Sequence, residues 1–354
     1  MATDDRLLEK VHDLSDLELA VLLCLISREH CLISTPAGAI ADLVSELQLV
    51  AGKTFGLEAA VINCSPTTTL EDFASALLSK NQPSGTNSSP PRAEPSYFSS
   101  NPKSPASQTS SPGPHIANFV IARNLDLAPH AIQIQALELL RTRRIFTRTA
   151  VQVAPKQFVF VPVLESDSGG QAHVTPHLND YFAIAHWHDP DEGFVNLEEV
   201  EDEYGDDAAS TASVVKAARS GKMEALISED DITSLREQAQ QVQVDVDVTR
   251  YQMNIVSFLR MHRAVDKGIT PSATRHFAQL MRNLAPLHKI DYVTPALVAL
   301  AARKVYLHRI LITEPEKERS MQWGSNLESV RNLLQGVGPE EVIDEVLNMV
   351  TAPV

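Results

Sequence analysis

Four groups of residues carry side chains that could do chemistry. Ala51-Gly52-Lys53-Thr54 spells the glycine-lysine-hydroxyl ending of a phosphate loop. In such a loop backbone amides and the lysine neutralise phosphate charge, and the hydroxyl holds magnesium. A true loop has a glycine five residues before the second glycine, but Leu47 stands there. It also joins a strand to a helix, whereas this triplet ends an apolar helical repeat, so it reads as a decoy. His173, His177, His186 and His188, with Asp180 and Asp189, are of zinc-ligand type. They flank a strand and a loop, whereas zinc needs ligands converging at short bond lengths. A mobile polar loop is the plainer reading, and no metal site is expected. Ser168-Gly169-Gly170 has no base at a defined spacing, so a serine nucleophile is unsupported. Arg141, Arg143, Arg144 and Arg148 form a basic patch at a helix end. It suits either docking of an acidic surface or complementing of the helix dipole.

Bulk properties bound the remaining options. The 354 residues are 44% hydrophobic and only 5% aromatic, so aliphatic side chains must fill the core. The net charge of −15 disfavours nucleic acid and anionic membrane as partners. Cys24, Cys31 and Cys64 lie on or beside apolar runs and read as buried thiols in a reducing compartment. The acidic N-terminus has no apolar signal region, and the longest apolar run, 19–26, is too short to span a bilayer. A cytoplasmic protein is expected, with the nucleus as the alternative.

The elements that must position any site alternate. Ser15 and Glu18 form a capping box for a helix to Ile26. His30 to Ser34 reads as a buried strand. Ile40, Leu43, Val44, Leu47 and Val50 repeat at helical spacing, stopped by Gly56. Ala59 to Cys64, Phe119 to Ala122 and Gln157 to Leu164 are further strands. Helices are expected from the Thr68–Glu71 cap to Leu78 and over 131–143. That alternation predicts a parallel, three-layer α/β sheet. Lys80 to His115 is Ser/Pro-rich and predicted disordered. Asp180 to Asp207 carries eleven acids and no Lys or Arg, and most of it reads as a solvated linker. Leu235 onward is helical, with one stripe of Tyr251, Ile255, Phe258 and Leu259. Further helices open at Thr270-Pro271 and Thr294-Pro295, and two short ones close the chain.

Several segments, in collinear order over residues 14–312, resemble the magnesium chelatase I subunit and MoxR branch of the AAA+ family. His30 to Gly38 is similar to its first strand and phosphate loop, and Asn118 to Arg144 to its second nucleotide motif with the following helix. Lys156 to Leu164 resembles the sensor strand, and Leu178 to Phe182 the arginine-finger segment. Lys267 to Thr274 and Asp291 to Pro295 resemble two lid segments. The implied fold is an AAA+ α/β core (1–79 and 116–185) interrupted by the insert (80–115). An acidic linker (186–232), an all-α lid (233–312) and a C-terminal helical extension (313–354) follow.

The same resemblance implies where nucleotide chemistry would sit, and there the residues depart from the family. The loop GPPGTGKT corresponds to Ser34-Thr35-Pro36-Ala37-Gly38-Ala39-Ile40-Ala41, with Ile40 at the phosphate lysine and Ala41 at the magnesium hydroxyl. The metal Asp and catalytic Glu fall on Arg123 and Asn124. The sensor Asn falls on Leu164, the arginine finger on Tyr181 and the lid arginine on Ser272, with Arg275 one turn on. A positive Arg123 opposes magnesium. Six functions are thus lost, and a vestigial pocket with no catalytic residue is expected. No cofactor is expected beyond weak ATP binding by the backbone amides that open the Ile40 helix. The expected role is that of a pseudo-ATPase scaffold or regulatory subunit. Its implied partners are proteins: AAA+ ring subunits or a von Willebrand A domain protein. The competing readings are an active chelatase-type or MoxR-type ATPase, and an adaptor working through the Ser/Pro-rich insert.

Overall fold

Ser15 starts the first long buried helix as the sequence predicts. Its hydroxyl accepts from the Glu18 amide, and the Glu18 carboxylate accepts from the Ser15 amide at 2.9 Å. The computed structural model describes residues 2–78, 115–147, 150–204 and 225–353. In chain order they form α1 (Ala2–His12), α2 (Asp16–Ser27), β1 (His30–Thr35), α3 (Ile40–Leu49), β2 (Ala59–Asn63) and α4 (Leu70–Ala76). Next come β3 (Phe119–Arg123), α5 (His130–Thr142), β4 (Arg144–Phe146), β5 (Val151–Val153), β6 (Val159–Glu165), α6 (Pro176–Asn179), β7 (Phe182–Trp187) and α7 (Val195–Tyr204). The C-terminal region contains α8 (Glu229–Gln241), α9 (Val246–Met261), β8 (Val265–Lys267), α10 (Pro271–Leu287), α11 (Pro295–Tyr306), β9 (Leu311–Ile312), α12 (Leu327–Leu334) and α13 (Pro339–Met349).

The main sheet has five strands in the order β2-β3-β6-β1-β7, and every pairing is parallel. Successive strand residues face opposite sides, and both sides are apolar here. Cys31, Ile33, Phe119, Ile121, Val159, Val161 and Val163 face one layer. Leu32, Val120, Ala122 and Phe160 face the other. The predicted three-layer α/β core is therefore what forms. The first layer runs without a break into the helical region, where Phe277 and Tyr306 meet edge-to-face at 5.5 Å. The helical region also carries a two-stranded antiparallel ribbon, β8 with β9. Gly268, just after β8, has φ +117, and a Cβ there would lie 1.9 Å from the Arg309 carbonyl oxygen.

Two local expectations need correction. The cap of α4 is Thr69 with Asp72, one residue later than read. The acid-rich stretch from residue 186 does not begin as a linker: His186 and Trp187 complete β7, and α7 follows with Leu197 and Val200 buried. Its acids conceal an apolar strand, and a distant carboxylate holds the start of α7. Glu46, itself 1% exposed, accepts from the Asn196 and Leu197 amides at 3.1 and 2.8 Å and from Asn196 Nδ2 at 2.9 Å. Burial pushes the Glu46 carboxyl up, and these bonds pull against it. The Ser/Pro-rich insert, except His115, lies outside the described residues, as do Arg148 and 205–224 of the expected linker.

Two outcomes test this fold. Gly268→Ala should lower unfolding stability by about 3 kcal/mol or more in urea titration, because positive φ and a backbone clash coincide. The second concerns buried histidines. His30 Nδ1 accepts the Phe160 amide at 3.2 Å, and burial presses its pKa from 6.5 to about 3. Burial does the same to His186 and His276, each to about 3. A depressed folded pKa means the unfolded chain binds more protons between about 3 and 6.5. Stability should therefore fall as pH falls through that window, by up to about 1.4 kcal/mol per unit for each group. Glu29, raised by burial from 4.5 to about 7, works oppositely across its own window. His30→Gln should flatten the dependence of the urea midpoint between pH 7 and pH 5.

Candidate functional site

Open parallel sheets bind ligands in the crevice outside the carboxyl ends of their strands. At that edge Ser34 and Thr35 of β1 pair with Leu164 and Glu165 of β6, and Arg123 of β3 pairs with Val163. The segments expected to hold the phosphate loop, the second motif and the sensor are thus brought together. Their chemistry differs from a phosphate site. Thr35 donates its hydroxyl to the His188 carbonyl at 3.0 Å, and its own carbonyl accepts from Ser166. Ser34 is buried, and its carbonyl accepts from the His188 amide. Pro36 turns the chain out, and Ala37–Ala39 make a single 3-10 turn. Gly38 is exposed, and a Cβ there would meet nothing within 4 Å. Ile40, first residue of α3, is 1% exposed and packs into the layer under β1. Ala41 faces solvent with no polar side-chain atom.

Arg123 is half-buried at the end of β3. Asn124 follows in the left-handed region at φ 53, which Asn tolerates. Its amide donates to Val163 O at 2.8 Å and its Nδ2 to Glu165 Oε1 at 3.1 Å. It acts as a turn residue. Leu164 is buried at 1% exposure. Asp126 and Glu165 are acids at this edge, and burial, then Glu165, raise the Asp126 pKa. Among the described residues no three His, Cys, Asp or Glu side chains gather as metal ligands. The buried alkyl side chain of Ile40 and the guanidinium of Arg123 do not suit a magnesium nucleotide at this edge.

Tyr181 and Ser272 lie at the other edge. Phe182 pairs with His30 at the start of β1, so Tyr181 is separated from Ile40 by the strand's length, roughly 16 Å at about 3.3 Å per residue. Tyr181 packs half-buried against the second core layer. Its neighbours are locked from the helical region. Arg309 donates to Asp180 O at 3.2 Å, to the Phe182 carbonyl and to His276 Nδ1 at 2.7 Å, and pairs with the Asp180 carboxylate at 3.4 Å. Burial lowers the Arg309 pKa to about 10, against the pull of Asp180. His308 Nε2 donates to Phe182 O at 2.9 Å, and its carbonyl accepts from Asn179 and His173. Ser272 sits in the first turn of α10, whose cap Thr270 donates to the Asp180 carboxylate at 2.6 Å. Sequence reasoning missed this lock, since nothing near Arg309 in the chain marks it.

The other candidates are also placed. Gly52-Lys53-Thr54 lies in a π-helical turn, Val50–Thr54, that ends α3. Thr54 donates to Glu18, and Lys53 pairs with Glu199. His186 and His188 are buried, not on a mobile loop; His186 Nδ1 meets Lys304 Nζ at 3.2 Å, and the His188 ring lies tilted against Phe194. His177 is exposed. Arg143 donates to Arg28 O at 3.1 Å and lies over the Phe158 ring.

The burial of Ile40 yields a test. Ile40→Lys should cost about 3 kcal/mol or more in urea unfolding, and Ile40→Val about 1 kcal/mol. A lysine tolerated without loss would mean that the side chain faces solvent and that the position can hold phosphate.

Comparison with known proteins agrees with this architecture. The family profile of the AAA lid domain matches residues 257–329. The chain superposes over its whole length on the solved structure of a proposed ATPase from Cytophaga hutchinsonii, at TM-score 0.64 and 14% identity, covering 98% of that chain. It is 25% identical over 132 residues, 37% of its length, to YeaC, an uncharacterized protein of Bacillus subtilis (strain 168). It is 29% identical over 115 residues, 31% of its length, to maintenance of telomere capping protein 2 of Lachancea thermotolerans. Those matches span 36% and 40% of the relatives' own lengths. Among the described residues no helix is long and apolar enough to cross a membrane. The chain thus combines a parallel α/β core with a helical region, and residues 257–329 of it match the AAA lid domain.

Proposed function

We propose that this chain does not hydrolyse ATP and serves as a scaffold or regulatory subunit in a protein assembly. The observation that carries the reading is Ile40: the side chain at the phosphate-lysine position is core, not pocket. The Ala41, Arg123, Asn124 and Leu164 positions point the same way. A guanidinium at the metal site repels a divalent cation, and removal of a single transition-state arginine already costs about 10³-fold or more in rate. The collinear motif segments favour kinship with the magnesium chelatase I and MoxR branch. Partners of that type are other AAA+ subunits or a von Willebrand A domain protein. The name of the Lachancea relative adds telomere capping to the processes to be tried.

The competing reading, an active ATPase component, rests on the fold alone. The two are separated by thermal unfolding with and without excess magnesium and ATP. A ligand at a hundred times its Kd adds about 2.7 kcal/mol to the native state, an easily measured rise in Tm. The expected result is an unchanged Tm at millimolar nucleotide and no phosphate release. A magnesium-dependent rise in Tm, lost on altering Gly38 or Arg123, would move the active-ATPase reading to first place.

A further inference from the structure

A cleft of about 520 Å³ lies between the C-terminal end of α2, α8 and α10, away from the carboxyl edge of the sheet. Arg28, Arg236, Arg275 and Arg282 line it, and no carboxylate does. That is unexpected in a chain of net charge −15. The four charges come from three elements. Arg28 is the left-handed cap of α2, at φ 58. Arg236 forks onto the carbonyls of Ile26 at 2.9 Å and Leu25 at 2.8 Å, so its guanidinium cannot swing away. Arg275 and Arg282 are two turns apart on one face of α10. Gln279 between them donates to Ser27 O at 3.1 Å and ties that face to α2.

The negative end of the α2 dipole accounts for Arg236 and Arg28. It does not account for the pair on α10. Glu29 and Glu229 act on Arg275 and Arg236 from outside the lining. Burial, then the charge of Arg28, lower the Arg236 pKa, so two of the guanidiniums repel each other. A second signal comes from Asn283. It is 6% exposed, lines the cleft, and its Nδ2 has no hydrogen-bond partner. An orphaned buried donor and a ring of guanidiniums call for the same missing group, an oxygen-rich anion.

We propose that this cleft binds a compact anion bearing two or more phosphate groups. The arginines would take the phosphate oxygens in bidentate fashion, and Asn283 would donate to one of them. The ligand is either a soluble polyphosphorylated molecule or the headgroup of a polyphosphorylated lipid. The site is separate from the carboxyl edge, so the proposal stands whatever that edge binds.

The test is calorimetric titration of the full chain with inositol hexakisphosphate and with pyrophosphate, beside flotation with vesicles containing phosphatidylinositol bisphosphate. One saturable site is expected, weakening as salt rises from about 50 to about 300 mM. Arg28→Gln and Arg282→Gln should each weaken it about tenfold or more while leaving Tm unchanged, because both side chains are exposed. Tighter binding to vesicles than to the soluble probes would assign the lipid, and the reverse would assign the free anion. ATP held in this cleft would be lost in Arg282→Gln without needing magnesium, whereas ATP at the phosphate loop would not be. No saturable binding of any probe, or binding undiminished in both variants, would overturn the proposal.

Discussion

The buried guanidinium of Arg309 is the contact on which the joining of lid to core depends. It is 3% exposed and sits in the turn after α11. A charge taken that far from water is tolerated only if nearly all of its donors find acceptors. Its acceptors come from the backbone on either side of Tyr181, from the Asp180 carboxylate and from His276 on α10. Removing the Asp180 carboxylate would leave a buried charge without its counter-ion, so separating the lid from β7 carries a large cost. His308, fully buried beside it, repeats the connection to Phe182 O. The segment around Tyr181 is thereby fastened to the helical region of its own chain.

A second buried polar cluster holds α3 and α7. Glu18 closes the capping box of α2 with one oxygen and receives Thr54 and Asn196 with the other. Glu46 receives Asn196 and Leu197 at the start of α7. Two carboxylates thereby clamp both the end of α3 and α7. With Ile40 packed below β1, helix α3 is anchored along its whole length. The helix opens on a core-facing residue, and the hydroxyl of the decoy triplet donates to Glu18.

Where local chemistry decided structure, the sequence was legible. Ser15, Thr270 and Thr294 cap the helices assigned to them, since a cap needs only a hydroxyl and an amide two or three residues on. The apolar runs at 30–34, 59–64, 119–122 and 157–164 became the strands expected of a sheet buried on both faces. The acid-rich stretch misled because composition averages over a strand and a helix whose few apolar residues are all that pack. The histidines misled for the same reason: His186 and His188 look like a polar loop until β7 carries them into the interior.

The sequence by itself determined the succession of elements and the α/β class. These depend on periodicity and on contacts within a turn of helix. Only the tertiary structure decided that Ile40 is core and that Tyr181 lies a strand's length away. It alone placed Arg309 against Asp180, 129 residues away, and set four arginines around one cleft. Those arrangements join residues more than a hundred positions apart. No local pattern encodes such pairings, because a side chain's burial and charge partners are set by which distant element packs against it.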